Sequence, residues 1–222
     1  MAQFEVVSSE GLKLIRCVID NEVVKAESGA LHYMFGKIEL TSAAPSVGGF
    51  LKSLVTSEHI FRPTYKGTGE IFFGPPIFGE YEILDLSNEE WILDQGSYVC
   101  SDIALEIGAY RNKAVSAMFG GEGWFQTTVK GSGQVVIQAP GKIHRIELEG
   151  QKLSVDGKFA IARTAGVKFE VQKAAKSMLG SFTSGEGLLS TFEGTGSVLI
   201  APVPNVFHNM ISSISSMIPK GK

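Results

Sequence analysis

Tyr65 to Pro75 reads YKGTGEIFFGP, and the line returns twice, as VKGSGQVVIQAP from Val129 to Pro140 and as FEGTGSVLIAP from Phe192 to Pro202. Each copy runs Gly-Thr/Ser-Gly, then an apolar run, then Pro. The leading glycines Gly67, Gly131 and Gly194 stand 64 and 63 residues apart. β-branched and aromatic residues held between Gly and Pro read as a strand bounded by turn chemistry. A phosphate-cradling loop requires Gly-Lys-Ser/Thr or a third Gly at a helix start. Here each Gly-x-Gly opens a strand, which predicts positive φ, a bulge or close backbone approach.

A second anchor recurs with the first. Gly29, Gly96 and Gly157 each lead into an apolar strand, in KAESGALHYM, ILDQGSYVCS and LSVDGKFAIA, and precede the later Gly-x-Gly by 38, 35 and 37 residues. Upstream, Ile19-Asp20-Asn21-Glu22 matches Leu86-Ser87-Asn88-Glu89, with Leu148-Glu149-Gly150-Gln151 as a looser third copy. These read as strand-ending turns. In the third copy, period-two alternation marks a half-buried strand from His144 to Glu149. Leu153 to Asp156, Lys158 to Ala162 and Val167 to Val171 follow between turns. Short strands at this spacing indicate a sandwich or barrel. Two anchors at a fixed period predict an all-β protein of three tandem modules, 1–79, 80–143 and 144–204.

Each copy is interrupted by an apolar stripe at i, i+3, i+4 spacing, which predicts a short helix. The stripes lie in Val47 to Val55, Lys113 to Phe119 and Lys173 to Phe182. Copies two and three then share Gly121-Glu122-Gly123 and Gly185-Glu186-Gly187, where the first copy has Thr56-Ser57-Glu58-His59.

Composition narrows the function. At 222 residues and 44 % hydrophobic content the chain can bury a core without staples. Net charge is -3 and the 20 Lys and Arg are scattered, so no nucleic-acid surface is expected. Cys17 and Cys100, the only cysteines, make neither a disulfide framework nor a zinc site. They read as small buried hydrophobes in a reducing compartment. The N-terminus has no signal-peptide pattern, no run reaches the ~20 apolar residues of a membrane span, and there is no Asn-x-Ser/Thr acceptor. A cytoplasmic protein is the expectation.

No catalytic constellation stands out. His32, His59, His144 and His208 are too widely spaced for a His pair on a metal, so no metal or cofactor is expected. No Gly-x-Ser-x-Gly elbow is present. Glu89, Glu90, Asp85 and Asp94 read as solvated loop charges beside Trp91.

With the repeats in view, the chain resembles the altered-inheritance-of-mitochondria family, whose fold is similar to TRAP, the tryptophan RNA-binding attenuation protein. Gly96-Ser97-Tyr98, Gly121-Glu122-Gly123-Trp124-Phe125, Gly131-Ser132-Gly133 and Ala139-Pro140-Gly141 carry the resemblance, with counterparts in the other copies, from about Phe4 to Pro204. It implies three TRAP-like β-sandwich modules about a pseudo-threefold axis and no established enzymatic activity. Mitochondrial members are associated with inner-membrane organisation, a role this chain does not inherit without a transit segment. TRAP binds RNA as a ring, but its basic array is not repeated here, and fold alone does not carry function. The expected function is therefore a non-enzymatic interaction or scaffold protein. Small-molecule or glycan binding in clefts between modules is the alternative, with TRAP-like RNA binding behind it.

Homo-oligomerisation is expected because sandwich modules leave edge strands to be covered. The tail adds a reason. After Pro204-Asn205, Val206, Phe207, Met210, Ile211, Ile214, Met217 and Ile218 fall at helical spacing, with serines on much of the other face and Pro219 as a stop. An amphipathic helix this short is unstable alone, so 205–222 reads as a docking helix. Its expected surface is its own core, a second subunit or an unidentified protein partner; a peripheral membrane contact is disfavoured, since the polar face carries Ser rather than Lys or Arg.

Overall fold

The structure is a computed structural model that describes residues 1–9, 12–42, 62–74, 79–111, 125–156, 159–173 and 188–203. The stripes within 47–55, 113–119 and 174–182, both Gly-Glu-Gly motifs, Gly157, His59, His208 and the docking residues Val206, Phe207, Met210, Ile211, Ile214, Met217 and Ile218 lie outside the described residues. Among those described, every regular element is a strand. Lys173, read as the start of a helix, instead closes a strand.

Twelve strands follow in chain order: β1 Gln3–Ser9, β2 Leu12–Ala26, β3 Leu31–Thr41, β4 Thr64–Phe73, β5 Glu80–Leu93, β6 Tyr98–Asp102, β7 Glu106–Arg111, β8 Phe125–Ala139, β9 His144–Asp156, β10 Ala160–Thr164, β11 Lys168–Lys173 and β12 Leu188–Ile200. They form one open antiparallel sheet along β11-β12-β10-β5-β8-β6-β2-β4-β3, with β1 on β2, β7 on β8 and β9 on β12. Sequence alternation drives this. In β2, Ile15, Cys17 and Ile19 are buried while Arg16 and Val18 between them are half-buried, the period of a strand with one face on a core.

The turns and bulges recur. Ala30 N donates to Glu27 O at 3.1 Å, Ser97 N to Asp94 O at 3.1 Å and Phe159 N to Asp156 O at 3.0 Å. Gly74 N donates to Ala30 O, Gln138 N to Ser97 O and Ala201 N to Phe159 O, each at 2.8 Å. All six glycines of the three Gly-x-Gly pairs have positive φ. Opposite them, β2, β5 and β9 each carry a register shift beside Asn21 (φ 53), Asn88 (φ 56) and Gly150 (φ 86). These sites were expected to end strands. Instead one residue turns through positive φ and the strand runs on, which is a bulge. The two asparagines are pinned, since Asn21 N donates to Thr68 Oγ1 and Asn88 N to Ser132 Oγ, both at 2.9 Å.

Hydrogen bonds cross both expected boundaries, 79/80 and 143/144. Cys100, Ser101 and Asp102 of β6 pair with Ala26, Lys25 and Val24 of β2. Ala162, Arg163 and Thr164 of β10 pair with Leu93, Ile92 and Trp91 of β5. Backbone polar groups at the end of one segment are thus satisfied by the next, so the segments share one sheet rather than standing apart.

The core follows the same plan. A first cluster gathers Ile15, Cys17, Val24, Tyr65, Ile71 and Phe73, and takes in Tyr81, Val99, Cys100 and Val136 from the second segment. A second gathers Leu84, Trp91, Tyr98, Val129 and Ile137, and takes in Ile161, Ala162, Leu199 and Ala201 from the third. The third cluster is Leu148, Val155, Val167, Phe192 and Val198, all from its own segment. Each fully buried Leu, Val or Phe of this kind contributes ~1.5–3 kcal/mol.

Candidate functional site

Among the described residues, no group of three or more His, Cys, Asp or Glu converges as a metal site would require. Cys17 and Cys100 are free and buried in the first cluster. Burial pushes the Cys17 thiol up to about 12, and burial with Cys17 nearby pushes Cys100 well above its ordinary value. Neither is a thiolate nucleophile at neutral pH. Glu89 and Glu90 lie in β5 rather than in a loop. Glu89 accepts from Trp91 Nε1 at 3.1 Å, and Glu90 lies 3.6 Å from Lys130. Asp85, also on β5, accepts from Gln134 Nε2 at 2.6 Å.

Polar side chains concentrate at the first seam. Tyr98 Oη donates to Lys25 O at 3.2 Å and lies 3.0 Å from Ser101 Oγ. Lys25 Nζ donates to Leu105 O across the same seam. Burial, and secondarily Arg62, lower the Lys25 pKa. The Arg62 guanidinium sits 4.3 Å over the Tyr98 ring and pairs with Glu27 at 3.0 Å. Its Nε and Nη1 are buried without a hydrogen-bond partner. Asp102 accepts from Gln134 N at 2.7 Å, and burial raises its carboxyl pKa. Sequence reading missed this network because Arg62 and Tyr98 are distant in the chain, and Tyr98 was read only as part of the Gly96-Ser97-Tyr98 turn while Arg62 belongs to no motif.

Among the described residues, exposed large hydrophobics gather on β3, at one edge of the sheet. Among the described residues β3 pairs only with β4, so its other side presents backbone groups that no described strand pairs. Tyr33 is 53 % exposed, Phe35 77 %, Met34 39 % and Leu40 45 %. The Tyr33 ring stacks on Phe72 of β4, with centroids 4.3 Å apart and planes 13° from parallel. A rigid aromatic pair on an open strand edge has the make-up of an interface anchor. The signal was present in LHYMFGKIELT, where apolar residues stand at successive positions, too many for one buried face.

Among the described residues, no helix is long and apolar enough to cross a membrane. The family described as mitochondrial biogenesis AIM24 matches residues 4–203. An uncharacterized protein of Streptococcus pyogenes serotype M6 is 26 % identical over 157 residues, which cover 69 % of this chain and 63 % of that protein. The match thus spans less than two thirds of that relative's length. The crystal structure of another Streptococcus pyogenes protein superposes with a TM-score of 0.79 at 20 % identity, covering 98 % of this chain and 100 % of the other. That likeness shows the fold.

Proposed function

This chain belongs to the mitochondrial biogenesis AIM24 family, and on that premise we propose that it is a non-enzymatic interaction scaffold that self-associates. In this reading three TRAP-like modules, 1–79, 80–143 and 144–204, are joined by their seams, and the protein works in the cytoplasm. The observation that carries it is the β3 edge, where Tyr33, Met34 and Phe35 stand exposed on a strand that, among the described residues, is paired on one side only. Support also comes from the recurring turn bonds and the threefold recurrence of positive-φ Gly-x-Gly. The test is gentle purification of the full chain from its own cells, with mass determination and identification of bound proteins. An assembly larger than the 23.8 kDa chain is expected. A monomer that brings no protein with it would overturn the reading.

One observation favours a second reading, a small anionic ligand at the first seam. Arg62 keeps Nε and Nη1 unpaired beside Lys25, and an anion would satisfy both. Melting-temperature shifts with inorganic phosphate and simple carboxylates test it, because a ligand that binds only the folded state raises the melting temperature. No shift in the wild type, or the same shift in Arg62→Met, removes this reading.

A further inference from the structure

The two internal seams obey one register rule. Tyr33 faces Phe72 of β4, Cys100 faces Val136 of β8, and Ala162 faces Leu199 of β12. Tyr33, Cys100 and Ala162 therefore hold the same place, as do Phe72, Val136 and Leu199. Cys100 and Ala162 both reach backwards, to Ala26 and Leu93, at the ends of β2 and β5. One more backbone bond extends each seam, Glu27 N to Val99 O and Asp94 N to Ile161 O, both at 2.8 Å.

In each seam the facing pair also caps the core of the preceding segment. Cys100 and Val136 are buried in the first cluster, Ala162 and Leu199 in the second. Two ends are left over. Among the described residues, the third cluster receives no cap from a later segment and β9 pairs only with β12. Ser154 there is exposed and Leu153 only half-buried, whereas Trp91 and Ile92, in the same places on β5, are buried. At the other end the Tyr33–Phe72 stack holds the capping place but, among the described residues, belongs to no core cluster, with Tyr33 53 % exposed.

We propose that copies of this chain join head to tail, the β3 edge of one pairing antiparallel with the free edge of β9 in the next. The Tyr33–Phe72 stack of the first copy then caps the third cluster of the second. The rule fixes the register: Tyr33 opposite Val155, Met34 opposite Ser154, Phe35 opposite Leu153, with Asp156 N donating to His32 O. A second copy is the occupant because its own first segment carries the capping pair in the sequence position that the two internal seams use. The contact is heterologous, so it builds a ring or an open polymer rather than a two-fold dimer. This deepens the scaffold reading and rests on it.

The experiment co-expresses full-length Tyr33→Cys and Val155→Cys chains carrying tags of different size, then oxidises them. Directly opposed strand positions bring cysteines within disulfide reach. Ala26→Cys, placed opposite native Cys100 at the first seam, is the internal control for that geometry. The expected result is a disulfide-linked band holding both tags, at the summed mass, absent when either variant is expressed alone. A double variant in one chain that closes on itself, giving only a monomer-sized linked species, overturns the proposal of a second copy. So does absence of any link while the Ala26→Cys control forms. Light scattering on the wild type keeps the two readings apart. An assembly without the 33–155 link refutes this register and leaves the scaffold reading standing, whereas a lone monomer refutes both. As a second variant, Phe35→Glu, at an already exposed site, is expected to lower the scattering mass with its melting transition retained; unchanged mass counts against the pairing.

Discussion

β6 and the first half of β3 occupy the same place against their own neighbours, but only one is covered. Cys100 and Ser101 of β6 are fully buried between β2 and β8, whereas Tyr33 and Phe35 are 53 % and 77 % exposed. Both are short apolar runs entered from a glycine turn with the same backbone bond. The difference is whether another segment lies alongside. Burial at this position is thus a property of the neighbour rather than of the strand's own sequence, which is how edge strands differ from central ones.

The sharpest way to break this comparison is to empty equivalent positions. Trp91, at the second seam, is 2 % exposed, and Leu153 holds its place at the uncovered end. Trp91→Ala is expected to cost about 4 kcal/mol, while Leu153→Ala costs about 1 kcal/mol in the isolated chain. Denaturant titration at low concentration measures both. Equal losses would mean that the seam adds nothing.

Glycine substitutions come next. A Cβ at Gly69 (φ +153) would lie 2.2 Å from the backbone oxygen of Phe35, whereas one at Gly133 (φ +143) meets the Asp102 side chain at 2.9 Å. A side chain can move where a backbone oxygen in a sheet cannot. Gly69→Ala should cost about 3 kcal/mol and Gly133→Ala about 1 kcal/mol less. The reverse order in melting curves contradicts this reading.

Much of this was legible in the sequence. The Gly67, Gly131 and Gly194 motifs placed three long strands and their positive-φ backbone, and the all-β class followed. Asn21 and Asn88 misled because Asn beside acidic residues reads as a turn, and a single positive-φ residue can also sit in a bulge that lets the strand continue. The seams were not legible. Pairing of β6 with β2 joins residues over seventy positions apart, and no local pattern encodes it. Nor could the sequence say that Tyr33 and Phe72 would stack, since each reads alone as an ordinary strand aromatic.

A finer probe is the hydroxyl. Tyr98→Phe removes bonds to Lys25 O and Ser101 Oγ at the covered seam and should cost about 1 kcal/mol. Tyr33→Phe at the open edge should change stability by less than about 0.5 kcal/mol in the isolated chain. A larger loss at Tyr33 would mean its hydroxyl has a partner there.

The smallest effect is a slope with pH. Burial raises the Asp102 carboxyl pKa above 3.8, so the folded state holds that proton more tightly than the unfolded chain. Its contribution to stability is full below pH 3.8 and is lost as pH rises through the raised value. Phe35 holds the corresponding place on β3 and has nothing to titrate. Asp102→Asn should therefore flatten stability across that window. A slope that persists unchanged in Asp102→Asn assigns it to other groups.

Both seams reach backwards along the chain, and this sets an order of events on the ribosome. Synthesis delivers the N-terminus first, at roughly 5–20 residues per second. When β6 emerges, β2 is already made, and when β10 emerges, β5 is waiting for it. Each newborn seam strand therefore lands on a finished template instead of searching for one. Tyr33, in the same place on β3, pairs with no earlier strand among the described residues. It is made before the edge proposed to receive it, since Leu153 to Val155 of its own chain lie more than a hundred codons further on. In the proposed head-to-tail contact, the Leu153 edge that a newly made Tyr33 could meet would be that of another copy, so the order of synthesis would favour pairing between chains over pairing within one.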